Sequence, residues 1–202
     1  DKNLVRPLST GYTAVVPPEV QVLVSNFSDN LSLPASVVNE LLQGDITHAA
    51  SNATRFAVNS TLGLAGLFDP SVVFGVPAQK TDFGETLHVW NAPPGDYLEL
   101  PVLGPSTERA ALGLLVDIFT NPLGYQLKSE HRVYRNGAKA ASTLSLRSQY
   151  GSTIDAMYYD SADSYTQSRL VYLQNRKFTL GGTDEIEYTE SYFDPYGDDY
   201  AE

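Results

Sequence analysis

Apolar residues recur at helical spacing near the start of the chain. Counted from Val20, they fall three, four, seven and eleven positions on, which places them on one stripe of an α-helix. These residues are Val20, Leu23, Val24, Phe27 and Leu31. Pro17 and Pro18 stand where a helix tolerates proline, in its first turn. Pro34 is expected to break this helix and to open the next one.

Two more helices are predicted directly downstream. The helix opened by Pro34 has Val37, Val38, Leu41 and Leu42 as its apolar positions. Gly44 suits the left-handed residue that ends many helices, and Asp45 suits the N-cap of the third helix. One face of the third helix is made mostly of small residues, namely Ile46, Ala49, Ala50, Ala53, Phe56 and Ala57.

The rest of the chain is predicted to be mostly helical. Residues 1–16 are expected to be extended or partly helical. Further helices are predicted at residues 70–74, 82–90, 106–119, 143–150 and 164–178, with Asp82 and Ser106 as N-caps of two of them. Between them lie a brief extended segment at 97–101, a polar stretch at 126–139 and a turn at 155–160. The predicted fold class is all-α, as a single domain of short amphipathic helices over residues 1–182.

The lengths of these helices limit how they can meet a membrane. A helix of roughly 12 to 16 residues is about 18 to 24 Å long, less than the ~30 Å hydrocarbon core of a bilayer. No apolar run in the sequence reaches the ~18 residues expected of a spanning helix. We therefore expect no helix to cross a membrane, although a group of them could lie within one leaflet.

Negative charge is concentrated at the end of the chain. The net charge is −11, and residues 184–202 contain eight acidic residues and no Lys or Arg. Residues 183–202, which are also rich in Tyr, are therefore predicted to be a flexible acidic tail. Because nucleic acid binding needs clustered Lys and Arg, nucleic acid is excluded as an expected partner.

Residues that could carry chemistry are few and scattered. Cysteine is absent, which excludes disulfides and cysteine metal sites. His48, His88 and His131 are far apart in sequence and form no HExxH pair, so no metal and no cofactor is predicted. Neither a nucleophile elbow nor a phosphate-binding loop occurs. Ser106 precedes an amphipathic run, so helix capping is favoured over a nucleophilic role, and we do not expect an enzyme.

A series of short motifs along the chain resembles the MlaA/VacJ family. The motifs are Arg6-Pro7, Tyr12, Asn26-Phe27, Asn30-Leu31, Pro34, Asn39, LLQG at 41–44, Arg55-Phe56, Asn59-Ser60-Thr61, Gly63, DFG at 82–84, Thr86-Leu87, Pro94-Gly95, Tyr97, Pro101, GPS at 104–106, Arg109 and Gly113. The similarity resumes at Tyr159-Asp160-Ser161 and at RLVYL, residues 169–173. The members of this family are outer-membrane lipoproteins that remove misplaced phospholipid from the outer leaflet.

The resemblance implies a function and a set of partners. It implies that the chain passes phospholipid from the outer leaflet to a periplasmic carrier protein, bound to a trimeric outer-membrane porin, and so maintains lipid asymmetry. It also implies a ring of helices around a central amphipathic pore, at the periplasmic face of the outer membrane. The family's signal sequence, lipidated Cys and first helix are not in this sequence, so we expect a trimmed chain whose full-length precursor is lipid-anchored.

A protein that moves phospholipid needs a route with two kinds of wall. Two acyl chains hold roughly 30 methylenes, and at ~0.8 kcal/mol each their exposure to water would cost over about 20 kcal/mol. The charged head group needs a polar lining along the same route. The polar residues that are candidates for lining the pore are Asn26, Asn30, Asn39, Asn52, Asn59 and Thr61. The resemblance also implies a mobile hairpin at residues 119–133, with the lipid-binding rim Phe119, Pro122, Leu123 and Tyr125.

Two alternatives from other classes remain open. The asparagines suit a soluble helical bundle as well, because they can cap and cross-link helices. Such a bundle would be a periplasmic protein-interaction module whose acidic tail binds the partner. The second alternative is a lipid hydrolase that uses Ser106 or a histidine.

Overall fold

The computed structural model describes residues 1–101, 103–126 and 129–181. The helices are α1 (Val5–Val15), α2 (Pro18–Gln43), α3 (Ile46–Thr61), α4 (Pro70–Val73), α5 (Phe83–Val89), α6 (Glu108–Thr120), α7 (Pro122–Gln126), α8 (Ser129–Gln149), α9 (Gly151–Asp155) and α10 (Ser164–Thr179). A π-helical turn, Ala156–Asp160, follows α9. Two short strands, β1 (Tyr97–Leu100) and β2 (Gly104–Thr107), pair antiparallel. The all-α class is confirmed, and the predicted acidic tail lies outside the described residues.

The helix α2 runs without a break through Pro34. The predicted break at this proline is wrong. A proline inside a helix removes a backbone hydrogen bond and costs about 3 kcal/mol, so contacts on both sides of it have to hold the helix together. Buried residues do flank it on both sides: Asn30, Leu33, Ser36, Asn39 and Glu40. Tertiary contacts of α2 with α3, α5 and α8 therefore override the local preference of the proline.

Helices α2 and α8 are longer than the sequence predicted. They contain 26 and 21 residues, which correspond to about 39 and 32 Å at 1.5 Å per residue. The prediction that every helix is shorter than the bilayer core is therefore wrong. Within the described ranges, however, no helix combines the length and the apolar character that a membrane span requires.

Residues 1–16, predicted as extended or partly helical, contain the regular helix α1, so the helical alternative holds. Two other predicted segments differ from the structure. The helix predicted from residue 143 already begins at Ser129. The mostly polar sequence before residue 143 hides this part of the helix. The turn or break predicted at 155–160 is the end of α9 followed by the π-helical turn.

Local capping signals predicted several helix ends correctly. Gly44 is left-handed, with φ +79°, at the end of α2. Asp45 accepts a hydrogen bond from the backbone N–H of His48 at 3.0 Å, and Asp82 accepts one from that of Glu85 at 2.8 Å. The N-cap predicted for Ser106 is wrong by one residue. Thr107 caps α6 instead, because its hydroxyl accepts from the N–H of Ala110.

Helix α2 packs against α3, α8 and α5, with smaller contacts to α6 and α7. Its longest contacts are with α3 and α8, and α5 lies against it near its C-terminal end. Helix α1 packs on α8, and α5 packs on α6. The α5–α6 contact is very close, because a Cβ atom added at Gly113 would lie 2.3 Å from the backbone nitrogen of Gly84. The predicted closure of these helices into a ring stays a prediction.

Polar side chains dominate the buried interior of this fold. Among the described residues, the buried hydrophobic side chains are Leu33, Ala49 and Ala138. The buried polar or charged side chains include Asn30, Asn39, Glu40, Asn52, Arg55 and Asn59. Large apolar side chains are exposed instead, notably Leu62, Leu64, Phe68, Val72, Val73 and Phe74 after α3, and Leu112, Leu115, Ile118 and Phe119 on α6. This is the reverse of the usual arrangement in water-soluble domains.

Candidate functional site

The contact between α2 and α3 is lined by polar side chains. On α3 the buried residues are Ala49, Asn52, Arg55 and Asn59. They stand three or four positions apart, so they lie on one face of the helix. Asn30, Ser36, Asn39 and Glu40 are buried on α2. The largest contact between two helices in this fold is therefore rich in amide and charged groups.

Arg55 lies at the centre of a hydrogen-bonded network on α3 and is 6% exposed. Its guanidinium pairs with the carboxylate of Asp69 and donates to the carbonyl of Val76 at 2.6 Å. Asp69 also accepts a hydrogen bond from Asn59 Nδ2 at 2.9 Å. The Oδ1 atom of Asn59 in turn accepts from the hydroxyl of Ser71 at 2.7 Å. These bonds attach the segment that follows α3 to the polar face of that helix.

A cavity of about 470 Å³ lies beside this network. We call it the polar cavity after the charged and amide side chains on its wall, although Leu33, Val72, Val76 and Pro77 also line it. Its wall comes from α2, from α3 and from residues 69–80. Three of the predicted pore residues, Asn26, Asn30 and Asn59, line it. The charged residues of the wall are Asp29, Arg55, Asp69 and Lys80. Ligand sites in proteins are typically of this volume, so the cavity has room for a small polar group.

A second cavity of about 350 Å³ is mostly apolar. Its wall consists of Phe27, Asn30, Leu31, Phe56, Ser60, Ala65, His131 and Tyr134. Asn30 is common to both walls. Its amide donates to the hydroxyl of Ser60 at 3.1 Å. The two cavities thus have one wall residue in common, the buried Asn30.

Asn52 and Glu40 form a second buried polar contact between α2 and α3. The amide of Asn52 donates to Glu40 Oε1 at 2.5 Å and to the carbonyl of Gln79 at 2.8 Å. The other carboxylate oxygen of Glu40 is buried and has no hydrogen-bond partner among the described residues. Burial raises the pKa of Glu40 from 4.5 to about 7, against the opposing effect of the Asn52 hydrogen bond. Asn52 therefore cross-links helices and is not in the wall of either cavity described above.

Asn39 joins α2 to α5 and α6. Its amide donates to Asp117 Oδ1 at 2.9 Å, and its carbonyl oxygen accepts from the hydroxyl of Thr86 at 3.4 Å. Asp117 also accepts from the backbone N–H of Phe83 at 3.1 Å. Burial raises the pKa of Asp117 above its ordinary value. Like Asn52, Asn39 occupies a position between helices.

The remaining predicted site residues lie away from both cavities. Thr61 is exposed, and its hydroxyl donates to the carbonyl of Ala57 in its own helix at 2.7 Å. Phe119 is exposed at the end of α6. Pro122 and Leu123 are half-buried in the short helix α7, and Tyr125 belongs to the same helix. The segment predicted as a hairpin thus contains the end of α6, all of α7 and the start of α8.

The residues considered for catalysis each have a different environment in the described structure. Ser106 is 4% exposed and its hydroxyl donates to the carbonyl of Thr107. His48 is bonded to the carboxylate of Asp45, which raises the pKa of its ring. Burial lowers the pKa of His88. In the part of the chain that the structure describes, no group of His, Asp and Glu side chains is arranged to hold a metal ion.

Sequence reasoning missed Arg55, Asp69 and Glu40 as residues of the site. Charged residues are usually placed on the surface from sequence, and here two of the three are almost completely buried. A signal was available for Arg55, because it stands three residues after Asn52 and four before Asn59. A polar stripe at helical spacing would have predicted a polar helix contact.

The family of the chain follows from its sequence over almost the whole described length. Residues 1–179 match the family model of the MlaA lipoprotein. The chain belongs to the MlaA lipoprotein family. The resemblance carried by the motifs is therefore confirmed.

Relatives of the chain include proteins with and without a named role. The MlaA protein of Escherichia coli K12, an intermembrane phospholipid transport system lipoprotein, is 31% identical over 90% of this chain and 72% of its own length. An uncharacterized protein of Rickettsia felis is 31% identical over 84% of this chain. The chain spans 66% of the length of that relative.

A solved structure also resembles the fold. It concerns the structural basis for maintenance of bacterial outer membrane lipid asymmetry. The TM-score is 0.72 and the identity is 27%, over 89% of each chain. The MlaA fold is thus shared along most of this chain.

Several of the MlaA motif residues have clear structural roles here. Gly44, which ends LLQG, is the left-handed residue between α2 and α3. In the DFG motif, Asp82 caps α5 and also accepts two hydrogen bonds from Arg176 of α10, at 2.9 and 2.7 Å. Gly84 of the same motif meets Gly113 at the α5–α6 contact. These motif positions thus fix the end of α2 and the contacts of α5 with α6 and α10.

Proposed function

We propose that this chain takes part in phospholipid transport, removing mislocalised phospholipid from the outer leaflet of the outer membrane and passing it to a periplasmic carrier. Membership of the MlaA family supports the proposal, because the E. coli relative is a phospholipid transport lipoprotein. The observation that carries it is the reversed polarity of the fold. Polar groups lie between α2 and α3, while large apolar side chains face outward.

The exposed apolar side chains suit a place in the membrane. Full burial of a Val, Leu, Ile or Phe side chain stabilises by about 1.5 to 3 kcal/mol. Val73 is 85% exposed and Phe119 is 67% exposed, so most of this stabilisation is missing in water. Hydrocarbon of the inner leaflet of the outer membrane would supply it. In this proposal the chain lies at the periplasmic face of that membrane, and its full-length precursor is lipid-anchored.

The movement of lipid in this proposal needs no covalent step. The helices would close into a ring around an amphipathic pore, with a trimeric porin holding the ring in the membrane. The lipid would pass from the outer leaflet to the carrier along surfaces that are apolar where they contact the acyl chains and polar where they contact the head group. The polar and apolar cavities, which share the wall residue Asn30, support a route with two kinds of wall.

The α7 segment offers a direct test of the proposal. Leu123 is half-buried, and its backbone N–H donates to Asn121 Oδ1 at 3.0 Å. We expect Leu123→Asp in the full-length protein to raise outer-leaflet phospholipid to the level of cells that lack the protein, because a charge obstructs contact with acyl chains. The same result is expected for Tyr125→Asp. The measurement is surface phospholipid in cells that express each variant at equal level.

Leu123→Met is the matched control, because it keeps an apolar side chain of similar volume. It should leave surface phospholipid at the wild-type level, and helix content by circular dichroism should be equal in all variants. A wild-type level in the Leu123→Asp strain would remove α7 from the mechanism. If cells without the protein show no rise in outer-leaflet phospholipid, the proposed function is wrong.

A further inference from the structure

The charges on the wall of the polar cavity balance. Arg55 and Lys80 contribute two positive charges, and Asp29 and Asp69 contribute two negative charges. An occupant with a net charge would leave that charge without compensation when it gives up its water. An occupant that carries one positive and one negative group would not. The cavity is therefore matched to a zwitterion or to a neutral polar group.

The two ion pairs of the wall differ in how easily they open. The pair of Arg55 and Asp69 is held by further bonds, and the Arg55 side chain is 7% exposed. The side chains of Lys80 and Asp29 are 78% and 55% exposed, with Nζ 3.1 Å from Oδ1. Exposed pairs of this kind contribute little to stability. Lys80 and Asp29 can therefore separate and each take a new partner of opposite charge.

Two buried polar atoms on the wall lack a hydrogen-bond partner among the described residues. They are Oδ1 of Asn30, which is 3% exposed, and Nε of Arg55, which is 6% exposed. Buried polar groups are nearly always paired with protein or with ordered water. One atom is an acceptor and the other is a donor. Both are almost without accessible surface, so the charged groups of the wall, and not these two atoms, are the groups that an occupant would meet.

The apolar cavity shares the wall residue Asn30 with the polar one. Phe27, Leu31 and Phe56 are among the apolar residues that line it. A molecule whose polar end is zwitterionic and whose other end is hydrocarbon would match both compartments together. A free zwitterion without a hydrocarbon end would match the polar compartment alone.

We propose that the two cavities form one binding site for a zwitterionic phospholipid, with the head group between Lys80 and Asp29 and an acyl chain against Phe27 and Phe56. The phosphate pairs with Lys80 and the ammonium group pairs with Asp29. The site selects against anionic head groups because its charges are balanced. This inference rests on the proposed function, since it names the class of lipid that the transport route accepts.

Single-charge changes in the exposed pair test this selection. The full chain in detergent is incubated with equal amounts of phosphatidylethanolamine and phosphatidylglycerol, and native mass spectrometry gives the ratio of the two bound lipids. The wild type should bind more phosphatidylethanolamine. Asp29→Asn should shift the ratio toward phosphatidylglycerol, and Lys80→Gln should shift it the opposite way, each by about threefold, as expected for one charge several ångströms away in a wet site.

Glu19→Gln is the matched control for Asp29→Asn. Glu19 lies on the same helix, is exposed and does not line the cavity, and the change in net charge is the same. Its bound ratio should equal that of the wild type. Equal shifts for Asp29→Asn and Glu19→Gln, or no shift in either cavity variant, would overturn the charge-selection site while leaving lipid transport standing. A wild-type chain that binds neither phospholipid would count against the proposed function as well.

Discussion

The buried carboxyl of Glu40 makes the stability of the fold depend on pH. Burial raises its pKa from 4.5 to about 7, and one of its oxygens has no hydrogen-bond partner among the described residues. Between these two values the folded chain holds a proton that the unfolded chain has released. The folded state binds more protons there, so the free energy of unfolding falls as pH rises from 4.5 to 7.

The size of this loss follows from the shift itself. One pKa unit corresponds to about 1.4 kcal/mol, so a rise of about 2.5 units corresponds to about 3 kcal/mol. The contribution is fully present below pH 4.5 and is lost above pH 7. Glu40→Gln should remove this loss of stability at high pH, because glutamine is uncharged at every pH. Glutamine also keeps an oxygen that accepts from Asn52. At pH 8 the variant should be more stable than the wild type by about 2 to 3 kcal/mol, and at pH 5 the two should agree within about 1 kcal/mol.

The assay is urea unfolding in a mild non-ionic detergent, followed by circular dichroism at a series of pH values. Other carboxyls with raised pKa values, such as Asp117 and Glu85, act equally in both proteins and cancel in the difference. Glu19→Gln on the exposed side of α2 should give a flat difference. A difference between Glu40→Gln and the wild type that stays constant from pH 5 to 8 would refute the reasoning, and so would one that falls.

Other substitutions probe the packing and the polar network through the free energy of unfolding. Gly113→Ala should destabilise by about 2 kcal/mol, because its Cβ would lie 2.3 Å from the backbone of α5. Gly137→Ala in α8 is the control: its Cβ meets nothing within 4 Å, and the change should stabilise by up to about 1 kcal/mol. Equal effects of the two substitutions would argue against the close α5–α6 contact. Asp69→Asn should cost about 3 kcal/mol because it leaves the buried Arg55 without its anion. Asp29→Asn in the exposed pair should cost under about 1 kcal/mol, and a loss as large as that of Asp69→Asn would contradict this assignment.

Helix ends that depend on a few neighbouring residues could be predicted from the sequence. Gly44, Asp45 and Asp82 end or begin helices through their own backbone freedom or side-chain oxygens, and such effects need no distant partner. Pro34 shows the opposite case. Its helix continues because contacts with other helices outweigh the lost hydrogen bond, and those contacts are not visible in the local sequence.

The candidate site was only partly predictable for a related reason. Asn26, Asn30 and Asn59 do line the polar cavity, whereas Asn39 and Asn52 bond between helices. All five look alike in the sequence, because an amide on a helix can serve either purpose. A facing carboxylate does not decide between them, because Asn59 bonds to Asp69 and still lines the cavity. The outcome depends on how the neighbouring elements pack, which the local sequence does not show.

The hydrogen-bonded contact between α2 and α3 also affects how this chain can misfold. A collapsed state that gathers its apolar side chains together in water would strand Arg55 and Glu40 away from their partners, and each stranded charge would oppose that state. Native pairing depends on direction and distance, so a slipped helix register loses most of it at once. The polar α2–α3 contact therefore disfavours collapsed states in which the apolar side chains are buried and the polar ones exposed.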